Sequence, residues 1–302
     1  MPKKHKSSVV SPESGSARFR QVTILGPGLL GGSVGMAIRK RKLARRVVIW
    51  GRRLEAAREA VKKGAADAVA GSPDEAVAGS DLVILCTPVE IMPDLARQFR
   101  ARLARGAIVT DVGSTKYEVV KVLSQILERK AAFVGAHPMA GSEKDGLKAA
   151  RANLFDGAVC ILTPLPQTAM KAVDRVRVFW ERLGCRLRTA TPSEHDEWVA
   201  SISHLPHLTA AALVNSVARG TPRAFDVAGN GFRDTTRVAA GPAEMWTGII
   251  LSNREEIRRN LQRLIDELET LNRHITNHAA ADLLACLRAA REQRIALKRL
   301  KG

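Results

Sequence analysis

Three glycines in one short stretch set out the first chemistry open to this chain. In Gln21–Arg39, QVTILGPGLLGGSVGMAIR, Gly26, Gly28 and Gly31 stand in G-x-G-x-x-G spacing. Gly26 permits a turn that a side chain would block, Gly28 lets the backbone approach a pyrophosphate, and Gly31 lets the new helix pack closely on its strand. Leu29 and Leu30 open that helix, whose free N–H groups and positive dipole end favour an anion. A histidine, His137, ends an apolar strand in GAHPMAGSE. Beside a nicotinamide it is placed to accept a proton while hydride leaves. Arg233 and Arg237, in GFRDTTR, are spaced i, i+4 and on one helical face would grip carboxylates. Taken singly these signals are modest. Gly-rich turns occur without ligands, a lone loop histidine is more often structural, and two arginines are often surface charges.

The elements that must position these residues alternate through the first half. Gln21–Leu25 is a β-branched run suited to a buried parallel strand, and Val47–Trp50 follows it as the second strand. Further strands are expected at Asp81–Cys86, Ala107–Asp111, Phe133–Ala136, Ala158–Leu162 and Cys185–Ala190, with helices at Leu54–Lys63, near Ile91–Leu103, at Tyr117–Glu128 and near Thr168–Leu183. Such alternation predicts a parallel doubly wound sheet, with ligands outside the carboxyl ends of its strands. Thr87-Pro88, Val112–Lys116 and His137 all fall in loops at those ends. From Pro192 onward the pattern is helical only, with Ser193 as an expected N-cap. Ala243–Ile275 carries Trp246, Ile250, Ile257, Leu261, Leu264, Leu268, Leu271 and Ile275 at steps of three and four, which predicts one long helix interrupted only by Asn253. A stripe of that length points to packing on other helices and to a homodimer. The expected organisation is a disordered basic leader (1–18), a Rossmann-type α/β dinucleotide-binding domain (19–190) and an all-helical substrate and dimerisation domain (191–302).

The chain has 302 residues, 45% hydrophobic and only 4% aromatic, which is enough for two cored domains. No apolar run approaches the ~20 residues of a membrane span, and the N-terminus lacks the apolar stretch of a signal peptide. Cys86, Cys160, Cys185 and Cys286 show no C-x-x-C spacing and read as reduced thiols of a cytoplasmic protein without a metal site. The formal charge is +18. Residues 1–20 carry five Lys/Arg against one Glu and residues 287–302 six against one, so half of the excess sits in two terminal segments. No recognition motif or interleaved aromatics support a nucleic-acid partner. A basic surface that attracts an anionic small-molecule substrate accounts for the charge.

Dinucleotide folds that use NAD place an acid about 20 residues past the loop, on the ribose hydroxyls. Here the second strand ends Ile49-Trp50-Gly51-Arg52-Arg53, with no acid. A guanidinium matches phosphate geometry, so Arg52 and Arg53 favour NADP over NAD. The other reading is that both are solvated residues at a helix start. Replacing Gly51 with Asp and Arg52 with Ala is expected to reverse the preference.

Together the segments GPGLLGGS, DVGSTK, GAHPMAGSEKDG, His195-Asp196, SHLPH and GFRDTTR occur in an order that resembles the prephenate/arogenate dehydrogenase family of tyrosine biosynthesis, from about Arg20 to about Glu269. The resemblance implies oxidative decarboxylation of prephenate to 4-hydroxyphenylpyruvate with NAD(P), or alternatively of arogenate to tyrosine. It implies that His137 takes the proton of the ring hydroxyl and that Ser114 helps hold that hydroxyl. Arg237 would bind a substrate carboxylate with Arg233 close by, and His207, supported by His204, would meet the side-chain end. Ser142, Glu143 and Trp246 would line the pocket, and Thr87-Pro88 would lie against the nicotinamide. Dehydrogenases of the β-hydroxyacid type share the general plan but rely on a lysine in the helical half, and no such motif stands here. A non-enzymatic nucleotide-sensing module would have no need of His137.

Overall fold

The computed structural model describes residues 18–140 and 146–299. The leader expected at 1–18 therefore falls, but for Arg18, outside the described residues. So do Ser142 and Glu143. The chain divides into two compact units. One runs through Gly113 and resumes over Val120–Thr189; the other takes Ser114–Val119 and the chain from Ala190 onward.

The first unit is built on one eight-stranded sheet. Its elements in chain order are β1 (Phe19–Leu25), α1 (Leu29–Lys40), β2 (Ala44–Trp50), α2 (Leu54–Lys62), β3 (Ala68–Val69), α3 (Pro73–Val77), β4 (Leu82–Leu85), α4 (Met92–Phe99), β5 (Ile108–Asp111), α5 (Tyr117–Leu127), β6 (Ala132–Pro138), β7 (Val159–Thr163), α6 (Met170–Arg182) and β8 (Arg186–Thr189). The strand order is β3-β2-β1-β4-β5-β6-β7-β8. Order reverses on either side of β1, as in a doubly wound Rossmann-type sheet. Val22, Ile24, Val47, Ile49, Leu82 and Ile84 are buried in register across the three central strands. At one side of this core Phe19, Phe179, Trp180 and Phe155 meet edge to face, with centroids 5.4–6.0 Å apart.

The sheet is parallel as expected except for one pairing toward its far edge. β6 pairs antiparallel with β7, Ala136 opposite Leu162 and His137 opposite Ile161, and β8 runs with β7. A parallel return needs a crossover element of a dozen or more residues, usually a helix. Among the described residues the β6–β7 connection carries the short turn Leu147–Ala149 and no crossover helix, and the strand comes back reversed. The two-residue β3 and five-residue α3 were not expected, being too short for periodicity to reveal.

The second unit is helical: α7 (Pro192–Val199), a π turn (Ala200–His204), α8 (Leu205–Gly220), α9 (Asn230–Thr236), α10 (Ala243–Ser252), α11 (Arg254–Thr276) and α12 (Ala280–Arg299). Two expectations are corrected here. Thr191, not Ser193, caps α7: its hydroxyl accepts from Glu194 N while the Glu194 carboxylate accepts from Thr191 N, with Pro192 at the first helical position. The long helix is two. Asn253 leaves helical torsions at φ −124°, ψ 32° and breaks it into α10 and α11. Its amide donates to the Asp196 carbonyl at 2.8 Å and lies 3.3 Å from His204 Nδ1. Asn253 is buried, and a buried polar side chain takes the partners that satisfy it.

Candidate active site

In the first unit the glycine loop is held from both sides. Gly26 has φ +117°, and a β-carbon there would lie 2.5 Å from the Cys86 carbonyl oxygen at the end of β4. Gly26 N donates to the Trp50 carbonyl at the end of β2 at 2.8 Å. A β-carbon on Gly31 would lie 1.9 Å from the Gly26 carbonyl oxygen. Glycine is therefore obligatory at both positions, and α1 starts hard against β1. The helix opens at Leu29 after Gly28, with no side-chain cap and no acidic residue in its first turn. Its leading N–H groups thus have no side-chain acceptor. On Gly28 a β-carbon would meet nothing within 4 Å. A bare backbone over open space, in front of uncapped N–H groups, fits a dinucleotide pyrophosphate. Beside the loop, past the end of β4, the buried Thr87 hydroxyl has no partner in the chain, and Pro88 follows, exposed. Arg52 and Arg53 leave the end of β2 and are both exposed.

Two strands along, Asp111 is fully buried at the end of β5. Its carboxylate accepts from Gly113 N at 2.8 Å and from Ala136 N at 3.0 Å. This fixes the backbone next to His137, which is itself 8% exposed. Burial and the Asp111 charge push the Cys86 thiol well above its ordinary range. The sequence contained Asp111 within DVGSTK but gave no sign of this bracing role, because the contact to Ala136 N joins strands 25 residues apart.

The second unit gathers a buried polar cluster around Asp196. Its carboxylate accepts from Lys116 N at 2.8 Å and Tyr117 N at 2.9 Å, capping α5 from a distant point in the chain. His195 Nδ1 lies 2.7 Å from the same carboxylate. Lys116 is fully buried and donates to the Thr115 carbonyl. Ser252 donates to the Thr115 hydroxyl at 3.1 Å. Ser114, the residue before Thr115, is half-buried and belongs to this unit. Burial, with the Lys116 charge and then His204 adding to it, pushes His195 down to about 2, so it stays neutral and serves as a donor to Asp196. Burial lowers His204 to about 4, against the pull of Asp196. Burial also lowers His207, opposed by a hydrogen bond to the Val238 backbone.

His204 and His207 sit one turn apart, across the junction of the π turn and α8. The His207 ring stacks on Trp246 at 3.6 Å and 10°, and His204 meets the same indole edge-on at 6.2 Å. His204 Nε2 and His207 Nδ1 are buried without a partner in the chain. Two orphaned imidazole nitrogens beside one indole are groups held ready for a ligand. The Val238 contact also sets the turn Arg237–Ala240 against this cluster. Arg237 starts that turn directly after α9, and Arg233, on α9, donates to the Ala228 carbonyl; both residues are exposed. The structure thus joins His204, His207, Trp246 and the Arg237 turn in one unit, with Ser114 on the Asp196-anchored loop. It places His137 with the glycine loop, Thr87 and Arg52-Arg53 in the other. Among the described residues no cluster of three or more His, Cys, Asp or Glu is built to hold a metal ion.

A glycine loop for a dinucleotide and a braced strand-end histidine, followed by a helical unit with unpartnered imidazoles, define an NAD(P)-dependent oxidoreductase. Comparison with known proteins specifies the family. A family model for "Prephenate dehydrogenase, nucleotide-binding domain" matches residues 34–189, and one for "Prephenate dehydrogenase, dimerization domain" matches 191–289. Prephenate dehydrogenase of Bacillus subtilis is 34% identical over 289 residues, covering 93% of this chain and 77% of that one. Cyclohexadienyl dehydrogenase of Zymomonas mobilis is 32% identical, covering 93% and 97%. The crystal structure of Aquifex aeolicus prephenate dehydrogenase with hydroxyphenyl propionate and NAD+ superposes with a TM-score of 0.86 at 32% identity, over 92% of this chain and 98% of that one. Synechocystis arogenate dehydrogenase superposes with a TM-score of 0.79 at 29% identity, over 92% and 99%. The chain belongs to the prephenate dehydrogenase family.

Proposed function

We propose that this protein converts prephenate to 4-hydroxyphenylpyruvate by oxidative decarboxylation, with NADP preferred as acceptor. The observation that carries the reading is His137, buried at the carboxyl end of β6 on a backbone braced by Asp111, in the unit that holds the glycine loop. The uncapped start of α1, from Gly28 through Gly31, would hold the pyrophosphate, and Arg52 and Arg53 the ribose phosphate. When bound, the nicotinamide supplies the acceptor for the hydride of the hydroxyl-bearing ring carbon. His137 takes the hydroxyl proton as the carbonyl develops, and Ser114 holds that hydroxyl. Arg237, with Arg233 near it, binds a substrate carboxylate. His207 and His204 offer their open nitrogens to the side-chain end, over Trp246. Loss of the ring carboxylate as carbon dioxide aromatises the ring and makes the step effectively irreversible. Ser142 and Glu143, which lie outside the described residues, complete the same set by the family pattern. The protein acts as a homodimer through its helical unit, in keeping with the description of the matched domain.

The likeness to the Synechocystis arogenate dehydrogenase favours one second reading, in which arogenate is also a substrate. Steady-state kinetics with prephenate and arogenate, each with NAD and NADP, separate the readings. The expected result is the highest kcat/KM for prephenate with NADP, at least ~10-fold above NAD, the value of one charge-assisted phosphate contact. A higher kcat/KM for arogenate overturns the substrate assignment, and equal values for the nucleotides overturn the NADP preference.

A further inference from the structure

Pro27 lies inside the glycine loop and Gly51 at the end of β2, and the two are in contact. A β-carbon on Gly51 would stand 2.5 Å from Pro27 Cδ and 2.6 Å from Pro27 Cγ. Carbon atoms do not approach so closely, and a proline ring cannot swing aside because it closes on its own backbone. The loop cannot retreat either. Gly26, the preceding residue, is bonded to the Trp50 carbonyl and wedged against Cys86. Gly51 does not have a positive φ, unlike Gly26. Glycine at position 51 is therefore imposed by the proline ring and not by the torsions of the residue.

Position 51 is twenty residues beyond Gly31, where an NAD-using fold sets an acid on the ribose hydroxyls. We propose that Pro27 is a specificity-determining residue: its ring fills the space the side chain of an acid at position 51 would need. The protein then selects NADP by excluding the ribose acceptor as well as by presenting Arg52 and Arg53. This inference rests on the NADP reading above. It also alters an expectation from the sequence, since Gly51→Asp with Arg52→Ala now fails to build an NAD site unless the ring is removed.

The test measures nucleotide binding without substrate, by calorimetric titration of NAD and NADP, together with thermal melting of the nucleotide-free protein. The variants are Gly51→Asp/Arg52→Ala with and without Pro27→Ala, and Gly51→Ala, Pro27→Ala and their double. Gly51→Ala is expected to lower the melting temperature by about 2–10 °C, the usual effect of overpacking. Adding it to Pro27→Ala should cost little. The Asp/Ala pair should lose NADP without gaining NAD, and the triple variant should bind NAD at least about tenfold more tightly than the pair. If Gly51→Ala melts with the wild type, or the Asp/Ala pair binds NAD as tightly as the triple variant, the proposal is overturned. If neither Asp-bearing protein folds, the alanine cycle decides alone. Wild-type protein that binds NAD as tightly as NADP overturns the NADP reading, an outcome read independently of the alanine cycle.

Discussion

A base is useful only if its ring is held while the substrate changes charge, and His137, the base proposed here, sits on a backbone held next to it. Asp111 braces Ala136 N, and His137 faces Ile161 across the only antiparallel pairing in the described sheet. The assigned role is proton transfer alone, so substitution should separate chemistry from nucleotide binding. His137→Asn is expected to lower kcat by ~100- to 10,000-fold, the usual contribution of general base catalysis. The dissociation constant for the nucleotide, measured by titration, should stay within about twofold because the imidazole acts on the substrate. A near-normal kcat removes His137 from the mechanism. At this scale the sequence pointed to the residues proposed to meet ligands and was silent about those that brace them. Gly26, Gly28 and His137 announce themselves by spacing and by position after a strand. Asp111 is distinguished by what its two oxygens accept from, which spacing does not encode. The Gly51–Pro27 contact was hidden for the same reason: the two residues are 24 positions apart in the chain.

Elements were legible where a pattern had room to repeat. Strands β1, β2, β4, β5 and β6 and helices α1, α2 and α5 are found within a few residues of where alternation and apolar runs put them. The failures have a common cause in tertiary contacts that outvote local pattern. Asn253 sits in a stripe of helical periodicity yet ends α10, because its amide is claimed by Asp196 and lies beside His204. The π turn at Ala200–His204 likewise leaves no signature in apolar spacing, and it carries one of the two orphaned imidazoles. Asp196 is the residue around which these departures collect. It caps α5 through Lys116 N and Tyr117 N and thereby fixes the loop that bears Ser114. Asp196→Asn keeps one acceptor and turns a donor toward the second backbone N–H. The expected cost is about 1–3 kcal/mol, that of a buried group left unsatisfied, seen as a lower midpoint in urea unfolding followed by circular dichroism. An unchanged midpoint would show that the loop is anchored elsewhere.

The whole molecule poses a problem that one chain does not solve. On α11 Leu268 is 54% exposed and Ile275 61%, and on α12 Leu284 and Leu287 are 48% and 58% exposed. Large apolar side chains exposed on two successive helices point to an interface, and the matched domain is described as a dimerization domain. Against association stands the charge, since two chains each carrying a formal +18 repel one another. The two terms respond differently to salt. Repulsion between exposed charges is screened, with a Debye length of about 10 Å at 0.1 M and about 3 Å at 1 M ionic strength, whereas apolar burial is not weakened. The protein is therefore expected to sediment as a dimer, and its dissociation constant should fall as sodium chloride rises from about 50 to 500 mM. Leu268→Glu with Ile275→Glu places charges on the exposed stripe without touching the buried face of α11. That variant should sediment as a monomer while keeping wild-type helicity by circular dichroism. Dimerisation weakened by salt would mean that ion pairs hold the interface. A variant that stays dimeric would mean that the chains meet on another surface, and either result would sink the assignment of the α11 stripe as the contact between copies.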